Sequence, residues 1–287
     1  MPTLLDFRRR IRSVKNTQQI TRAMKFVSAA RLRRAQEAAL AARPYASELA
    51  RVLRSTMARI ETPQNPLLAR RPEERILLLV LAGERGLAGA FNTNILREAV
   101  KFIKTKQGKK ISVIPVGKKS RDALRKTGAH FAGEYVNVLA RVDFGVAREI
   151  ANLISSLYAE EQVDSVYAVF SEFKNVIAPN LITEKLLPIE KIEGDDAPQT
   201  DQTDYIYEQP AEQILNSLLP RYVETQVLRA LLESSAAEHA ARMTAMEAAT
   251  KNAGDVIEAL TLHMNKVRQA AITKEIIEIV SGAASTA

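Results

Sequence analysis

The residues of this chain best placed to do chemistry are Gly83, Gly86 and Gly89, in the run GERGLAGAFN that follows an apolar stretch. Glycines between a strand and a helix let backbone N–H groups approach an anion at the helix N-terminus, so phosphate binding is the chemistry to weigh. The spacing fits neither G-x-G-x-x-G nor G-x-x-x-x-G-K-[ST], because no Lys-Ser or Lys-Thr follows. A tight strand-to-helix connection in a doubly wound sheet accounts for these glycines without a nucleotide. The three histidines, His130, His239 and His263, include no i, i+4 pair, and no carboxylate cluster completes a metal site around them. Cysteine is absent, which removes disulfides, thiolate metal sites and a Cys nucleophile. No G-x-S-x-G elbow occurs. The residues point to no catalytic centre, no cofactor and no metal.

Charge is more informative than chemistry. The net charge is +8, but residues 1–60 hold fourteen Arg and Lys against Asp6, Glu37 and Glu48, a net of +11. Residues 61–210 hold 20 basic against 21 acidic side chains, and residues 211–287 hold 7 against 9. A basic stripe confined to one segment suggests an acidic partner: nucleic acid, an anionic membrane face or an acidic protein surface. The plainer alternative is a solvated, Arg-rich helix face. No run of eighteen apolar residues appears and no apolar stretch follows Arg8–Arg10, so the expectation is a soluble, cytoplasmic protein that spans no membrane.

The elements that must carry these features divide the chain in three. Residues 1–60 contain no Gly and, after Pro2, only Pro44, which predicts one very long helix. Leu4, Phe7, Ile11 and Val14 step like a coiled-coil seam, and the pattern then slips and resumes at Ile20, Met24 and Val27. Ala23, Ala29, Ala30 and Ala35 would admit a closely packed partner helix. Residues 211–287 read as a second long helix, with a stripe through Val256, Leu260, Met264, Val267 and Ala271. Two such stripes are buried most simply against each other, as a long antiparallel coiled coil. Residues 75–210 change period: RILLLVLA (75–82), KISVIPVG (110–117) and DSVYAVF (164–170) read as strands, with helices over 92–106, 118–127 and 143–160. That alternation predicts an α/β class, with a central doubly wound, Rossmann-like domain. Residues 204–208, DYIYE, read equally as an edge strand, a docking surface or core. The charge-free end, IVSGAAS (279–285), suits either a frayed tail or a rod tip in an apolar collar.

Several stretches resemble one family. The closing run ITKEIIEIVSGAAS (272–285) is similar to the signature of the gamma subunit of rotary ATP synthases, as are NTQQITRAMK (16–25) and Arg43-Pro44-Tyr45. Arg85-Gly86-Leu87 with Gly89 and Asn92, the DYIYE run, and Arg221-Tyr222-Val223-Glu224 resemble the same family, so the likeness covers both ends and the middle. The resemblance implies a non-catalytic central rotor shaft of a bacterial, proton-translocating type, one copy inside a ring of three alpha and three beta subunits. The central domain would lie near the epsilon subunit and the membrane c-ring, on the cytoplasmic side of the cell (inner) membrane, held there only through the complex. Carried over by position, Met24, Lys25, Arg242, Arg268, Gln269 and Thr273 would contact the ring, and Tyr205, Tyr207 and Glu208 the epsilon subunit and c-ring. Lys25 departs from relatives that carry an acid there.

Two rival classes remain. A nucleic-acid-binding coiled coil would place the +11 segment on phosphates, but aromatic residues for base stacking are scarce there. A nucleotide-dependent enzyme would need the 83–89 loop to hold phosphate, and that loop lacks the lysine. The expectation is therefore of protein partners and no nucleic acid.

Overall fold

The computed structural model describes residues 3–60, 65–173, 180–189 and 209–286, with side chains as far as Ser281. Two long helices, α1 (Leu4–Met57, 54 residues) and α5 (Ala211–Thr286, 76 residues), stand where glycine and proline are scarce. Pro44 and Pro220 lie inside them. An interior proline removes one backbone hydrogen bond, and at Pro220 the buried Leu219 and Tyr222 hold the helix through the gap.

Between the helices the chain forms β1 (Arg75–Leu81), α2 (Phe91–Thr105), β2 (Lys110–Val116), α3 (Lys118–Arg125), β3 (His130–Phe131), α4 (Phe144–Ala159), β4 (Ser165–Glu172) and β5 (Asn180–Leu187). The sheet order is β3-β2-β1-β4-β5. β1 runs parallel to β2 and β4, β3 parallel to β2, and β5 antiparallel to β4. Each strand and helix expected in residues 75–170 is present to within two residues. Two strands are additional. β3 is two residues long, too short for any periodicity, and β5 (NLITEKLL) carries Glu184 and Lys185 in the manner of an edge strand.

The run RILLLVL is continuously apolar because both faces of β1 are covered. Leu77, Leu79 and Leu81 meet Ile150, Ile154 and Tyr158 of α4 together with Leu53 of α1 and Leu219 of α5. Leu78 and Val80 point the other way, into Phe91, Ile95 and Ala99 of α2 and Leu124 of α3. The helix termini are prepared locally. Asp143 Oδ1 accepts from Gly145 N at 3.0 Å to cap α4. At the start of α3 only glycine fits, since Gly117 has φ +96 and a Cβ there would lie 2.0 Å from the Ala82 carbonyl oxygen.

The chain resolves into two compact units, one of residues 1–28 with 243–287 and one of residues 29–242. Their boundaries fall inside α1 and α5, whereas composition places them at residues 60, 75 and 211. The first unit is an antiparallel helix pair. Phe7 packs against His263 with ring centroids 5.0 Å apart and the rings tilted by 52°, Thr21 Oγ1 lies 2.8 Å from Thr250 Oγ1, and Lys25 Nζ lies 2.6 Å from Glu247 Oε1. Its seam runs through Leu4, Phe7, Ile11, Val14, Gln18, Thr21, Lys25 and Ser28, all buried or half-buried. These steps alternate 3 and 4 without a slip. Ile20 and Val27, expected in the seam, are 59% and 52% exposed, and Val256 on the other helix is 45% exposed. Ala23 and Ala30 are exposed as well. The regular heptad wins over residue hydrophobicity, because Thr21 and Thr250 satisfy each other across the interface and Gly254 admits Gln18, whose Nε2 donates to Thr250 O at 3.3 Å.

In the sheet unit, Glu73 ties the start of β1 to its neighbours, accepting from Lys106 Nζ at 2.6 Å and Tyr167 Oη at 2.7 Å. Burial pushes this carboxyl up, but the hydrogen bonds from Lys106 and Tyr167 outweigh it and bring the pKa from 4.5 to about 2. A folded-state pKa below the unfolded one means the stabilisation is complete above pH 4.5 and lost as the pH falls toward 2. Urea unfolding of the wild type and Glu73→Gln will therefore differ most at neutral pH. The two stabilities will converge between about pH 4.5 and about pH 2; a constant gap across that range would remove Glu73 as the titrating group.

Candidate functional site

In an open α/β sheet the crevice for ligands lies at the carboxyl ends of the strands, where the winding direction reverses. Here that point is between β1 and β4, and the first turn beyond it is the glycine-bearing segment 83–90. The turn is braced from within. Asn92 Oδ1 accepts from Gly83 N at 2.8 Å, and Asn92 Nδ2 donates to Arg85 O at 3.2 Å. Glu84 accepts from the backbone of Lys118 at 3.1 Å and of Val138 at 3.0 Å, which ties the turn to α3 and to the loop before α4. Leu87, at the tip, has φ +62 and is 64% exposed.

The crevice is filled by the chain itself. Ser234 and Ser235 of α5 donate to the carbonyls of Leu81 and Leu139 at 3.4 and 3.0 Å. One turn on, Glu238 and Arg242 form an ion pair at 2.5 Å, their side chains 5% and 10% exposed. A Cβ on Gly83 would lie 2.8 Å from the Glu238 carboxylate, so glycine is needed at this position to admit an acid. Arg242 Nη2 also reaches Gly86 O at 3.5 Å. Burial pushes the Glu238 carboxyl up, and Arg242 pulls against it. Beside the pair, burial and the nearby Arg242 and Arg31 hold His239 down at about 4, so it is neutral at physiological pH and its Nδ1, 3.4 Å from Arg242 Nη1, can accept. A buried carboxylate stands where a phosphate-binding turn would present open N–H groups, an arrangement that repels an anion.

Of the residues assigned by resemblance, Lys25 pairs with Glu247 on one flank of the helix pair, and Met24 beside it is half-buried. A shallow groove there is lined by Gln18, Arg22, Lys25, Phe26, Glu247 and Thr250. Arg268, Gln269 and Thr273 are exposed on α5, with Thr273 Oγ1 donating to Gln269 O at 3.0 Å. Arg242 differs from that set, since its guanidinium turns inward to Glu238 and the Gly86 carbonyl. Tyr205, Tyr207 and Glu208 lie outside the described residues. Glu238, Asn92 and Glu84 escaped the sequence reading as a connected group. An acid and a base four apart in AAEHAAR (236–242) were the one available signal, and the same spacing is ordinary on any solvated helix.

Beyond the pair's last half-buried position, Ala271, every described side chain on α5 is exposed, among them Ile272, Ile276, Ile277, Ile279 and Val280 at 49% to 71%. Among the described residues no group of His, Asp and Glu is placed to hold a metal ion, and no helix is long and apolar enough to cross a membrane.

Substituting Gly83→Ala forces a methyl onto the Glu238 carboxylate, which is held by Arg242 and cannot swing away freely. A loss of about 1–3 kcal/mol is expected, the usual cost of overpacking. Thermal unfolding of the variant will read it, and an unchanged midpoint would mean that Glu238 relaxes without loss.

Comparison with known proteins gives a consistent result. Residues 3–286 match the family model described as ATP synthase. The chain is 51% identical over 289 residues to a protein of Solibacter usitatus and 46% identical over 285 residues to one of Pelotomaculum thermopropionicum. Both are named ATP synthase gamma chain, and each alignment covers 99% of both partners. Among solved structures it is similar to a chain of the Tetrahymena thermophila mitochondrial ATP synthase central stalk and c-ring, with TM-score 0.61 and 26% identity over 80% of this chain and 99% of that one. A chain of the Euglena gracilis mitochondrial ATP synthase shares the fold at TM-score 0.69 and 21% identity, covering 99% of this chain and 94% of that one.

Proposed function

The chain belongs to the ATP synthase gamma-chain family, and from that premise we propose that it is the central rotor shaft coupling ion flow to ATP synthesis and hydrolysis at beta subunits. One copy stands in a ring of three alpha and three beta subunits. The sheet domain sits toward the epsilon subunit and the c-ring, at the cytoplasmic face of the cell membrane, and is held there by the complex alone.

The observation that carries this reading is the surface of the helix pair. From position 18 its seam on α1 is filled with Gln18, Thr21, Lys25 and Ser28, while Ile20, Phe26 and Val27 are turned outward at 52% to 61% exposure. The far end of α5 repeats the pattern with four isoleucines and a valine. Exposed apolar surface of this extent marks a protein-binding site, and helices coated on their outer faces fit inside a collar. Exposed basic side chains on α1, including Arg8, Arg9, Arg12 and Arg22, suit acidic loops on the collar through charge-assisted bonds. Met24, Lys25, Arg268, Gln269 and Thr273 make direct ring contacts, and Arg242 acts from within the chain. Tyr205, Tyr207 and Glu208 are assigned to the epsilon subunit and c-ring. An asymmetric shaft offers different contacts to three otherwise equivalent sites, which is what biases them toward different states.

The subunit itself is non-catalytic on this reading. The filled crevice and the buried Glu238 support that, since nucleotide would have to displace α5 and face a carboxylate.

Mixing the chain with alpha and beta subunits should give a complex with one copy per hexamer, whose steady ATP hydrolysis depends on the chain. Failure of capture, with salt-sensitive binding to nucleic acid instead, would sink the shaft reading. Deleting residues 272–287 should lower ATP-driven proton pumping at least about tenfold, equivalent to about 1.4 kcal/mol, because burial of a single isoleucine is worth that much or more. The sheet unit should keep its unfolding transition. Gln269→Ala should slow multisite turnover and leave nucleotide binding to beta intact; wild-type pumping and turnover in both variants would count against the assigned contacts.

A further inference from the structure

We propose that Glu238 and Arg242 are positioning residues that latch the 83–90 turn to α5, so that the turn and the helix move as one body. The inference rests on the rotor reading for its consequence and on the sheet unit's geometry for its substance.

Three observations carry it. First, the pair is buried in the sheet unit, where a charge pair costs more in desolvation than packed apolar residues would, so overall stability alone does not call for it. Second, both partners touch the same short segment. Glu238 sits against Gly83, in the space a Cβ would occupy, and Arg242 reaches the Gly86 carbonyl. The segment between them leads directly to Leu87, a non-glycine residue in the left-handed region, exposed at the tip. Such a conformation persists only where surrounding structure over-determines it. Third, Arg242 is the last α5 residue of the sheet unit, so the latch closes the stretch of α5 that crosses the sheet edge. Earlier in that stretch Arg229 pairs with Glu184 of β5 at 2.6 Å, and Ser234 and Ser235 donate to the carbonyls of Leu81 and Leu139, but the ion pair of Glu238 and Arg242 is the one set against the 83–90 turn. An apolar face resists separation but permits sliding. An ion pair against a backbone carbonyl fixes one azimuth, because its geometry is lost within an ångström of movement.

The test uses the full chain, alone and in the reconstituted complex, with Glu238→Gln, Arg242→Gln and Arg242→Lys. In the free chain, amide hydrogen exchange of residues 83–92 should accelerate at least about tenfold in the two Gln variants, since breaking a buried pair by removing one partner costs several kcal/mol. Arg242→Lys keeps the charge but not the planar guanidinium whose Nη2 meets both Glu238 and the Gly86 carbonyl while Nη1 faces His239, so it should fall between them and the wild type. Residues 75–81 should exchange as in the wild type. In the complex, protons pumped per ATP hydrolysed should drop about threefold or more in the Gln variants, and less in Arg242→Lys, whereas the KM for ATP stays unchanged. Unaltered exchange at 83–92 would overturn the latch. So would faster exchange that extends to residues 75–81, which assigns the pair to general stability, or faster exchange with an unchanged pumping ratio, which removes its role in coupling. If the wild-type chain fails to assemble, the rotor reading fails, and the exchange measurement still decides whether the latch exists.

Discussion

The carboxyl edge of a parallel sheet is an unfinished surface: strand ends, turn carbonyls and helix N-termini all face it, and proteins of this class usually cover part of it with a ligand. In this chain α5 does the covering. Ser234 and Ser235, then Glu238, then Arg242 stand on three successive turns of its inner face and meet Leu81 and Leu139, Gly83, and Gly86 in order. Much else depends on that constraint. The glycine at 83 makes room for the Glu238 carboxylate, and the acid in turn needs Arg242, because a buried carboxylate without a partner would be far more costly. Glu84 is then free to face the other way and hold α3 and the 138 loop. A region that in related architectures opens to bind nucleotide becomes the seat of a helix.

The helix pair obeys a different economy. A coiled coil built for its own stability fills its seam with leucine and isoleucine. This one does so only as far as Val14, then places Gln18, Thr21, Lys25 and Ser28 there and turns Ile20, Phe26 and Val27 outward. Its internal cohesion is correspondingly modest, resting on hydrogen bonds such as Thr21 to Thr250 and on close approach at Gly254. The apolar surface saved from the inside is available to something outside. An inverted distribution of this kind makes sense for an element whose stability in service comes from what surrounds it.

Much of this was legible in the residues, for reasons that can be named. Long helices announce themselves by missing glycine, and strands buried on both faces by unbroken apolar runs such as RILLLVL. The β4–β5 pairing was not legible, because an edge strand with charges at 184 and 185 has no pattern to separate it from a loop. The seam was misread from Ile20 onward because hydrophobicity was followed where heptad spacing should have been. Polar residues at 18 and 21 look like a break in the stripe, yet a Thr facing a Thr is satisfied and stays inside. The spacing of the glycines at 83, 86 and 89 departs from phosphate-loop patterns, but the partner they meet lies more than 140 residues away in sequence. Nothing local to the turn shows that Glu238 will be there.

The same distance hides the surroundings of Arg242, which a reading by helix position alone sets beside Arg268, Gln269 and Thr273. The last three lie at the end of the helix pair, around its last half-buried position, Ala271, and are exposed there. Arg242 sits where α5 still crosses the sheet edge, and its surroundings are set by tertiary contacts that no helical periodicity encodes. A basic side chain reads from sequence as outward and available. Here it is committed to an acid one turn earlier and to a carbonyl from another element, and its influence on any partner must pass through the turn it holds.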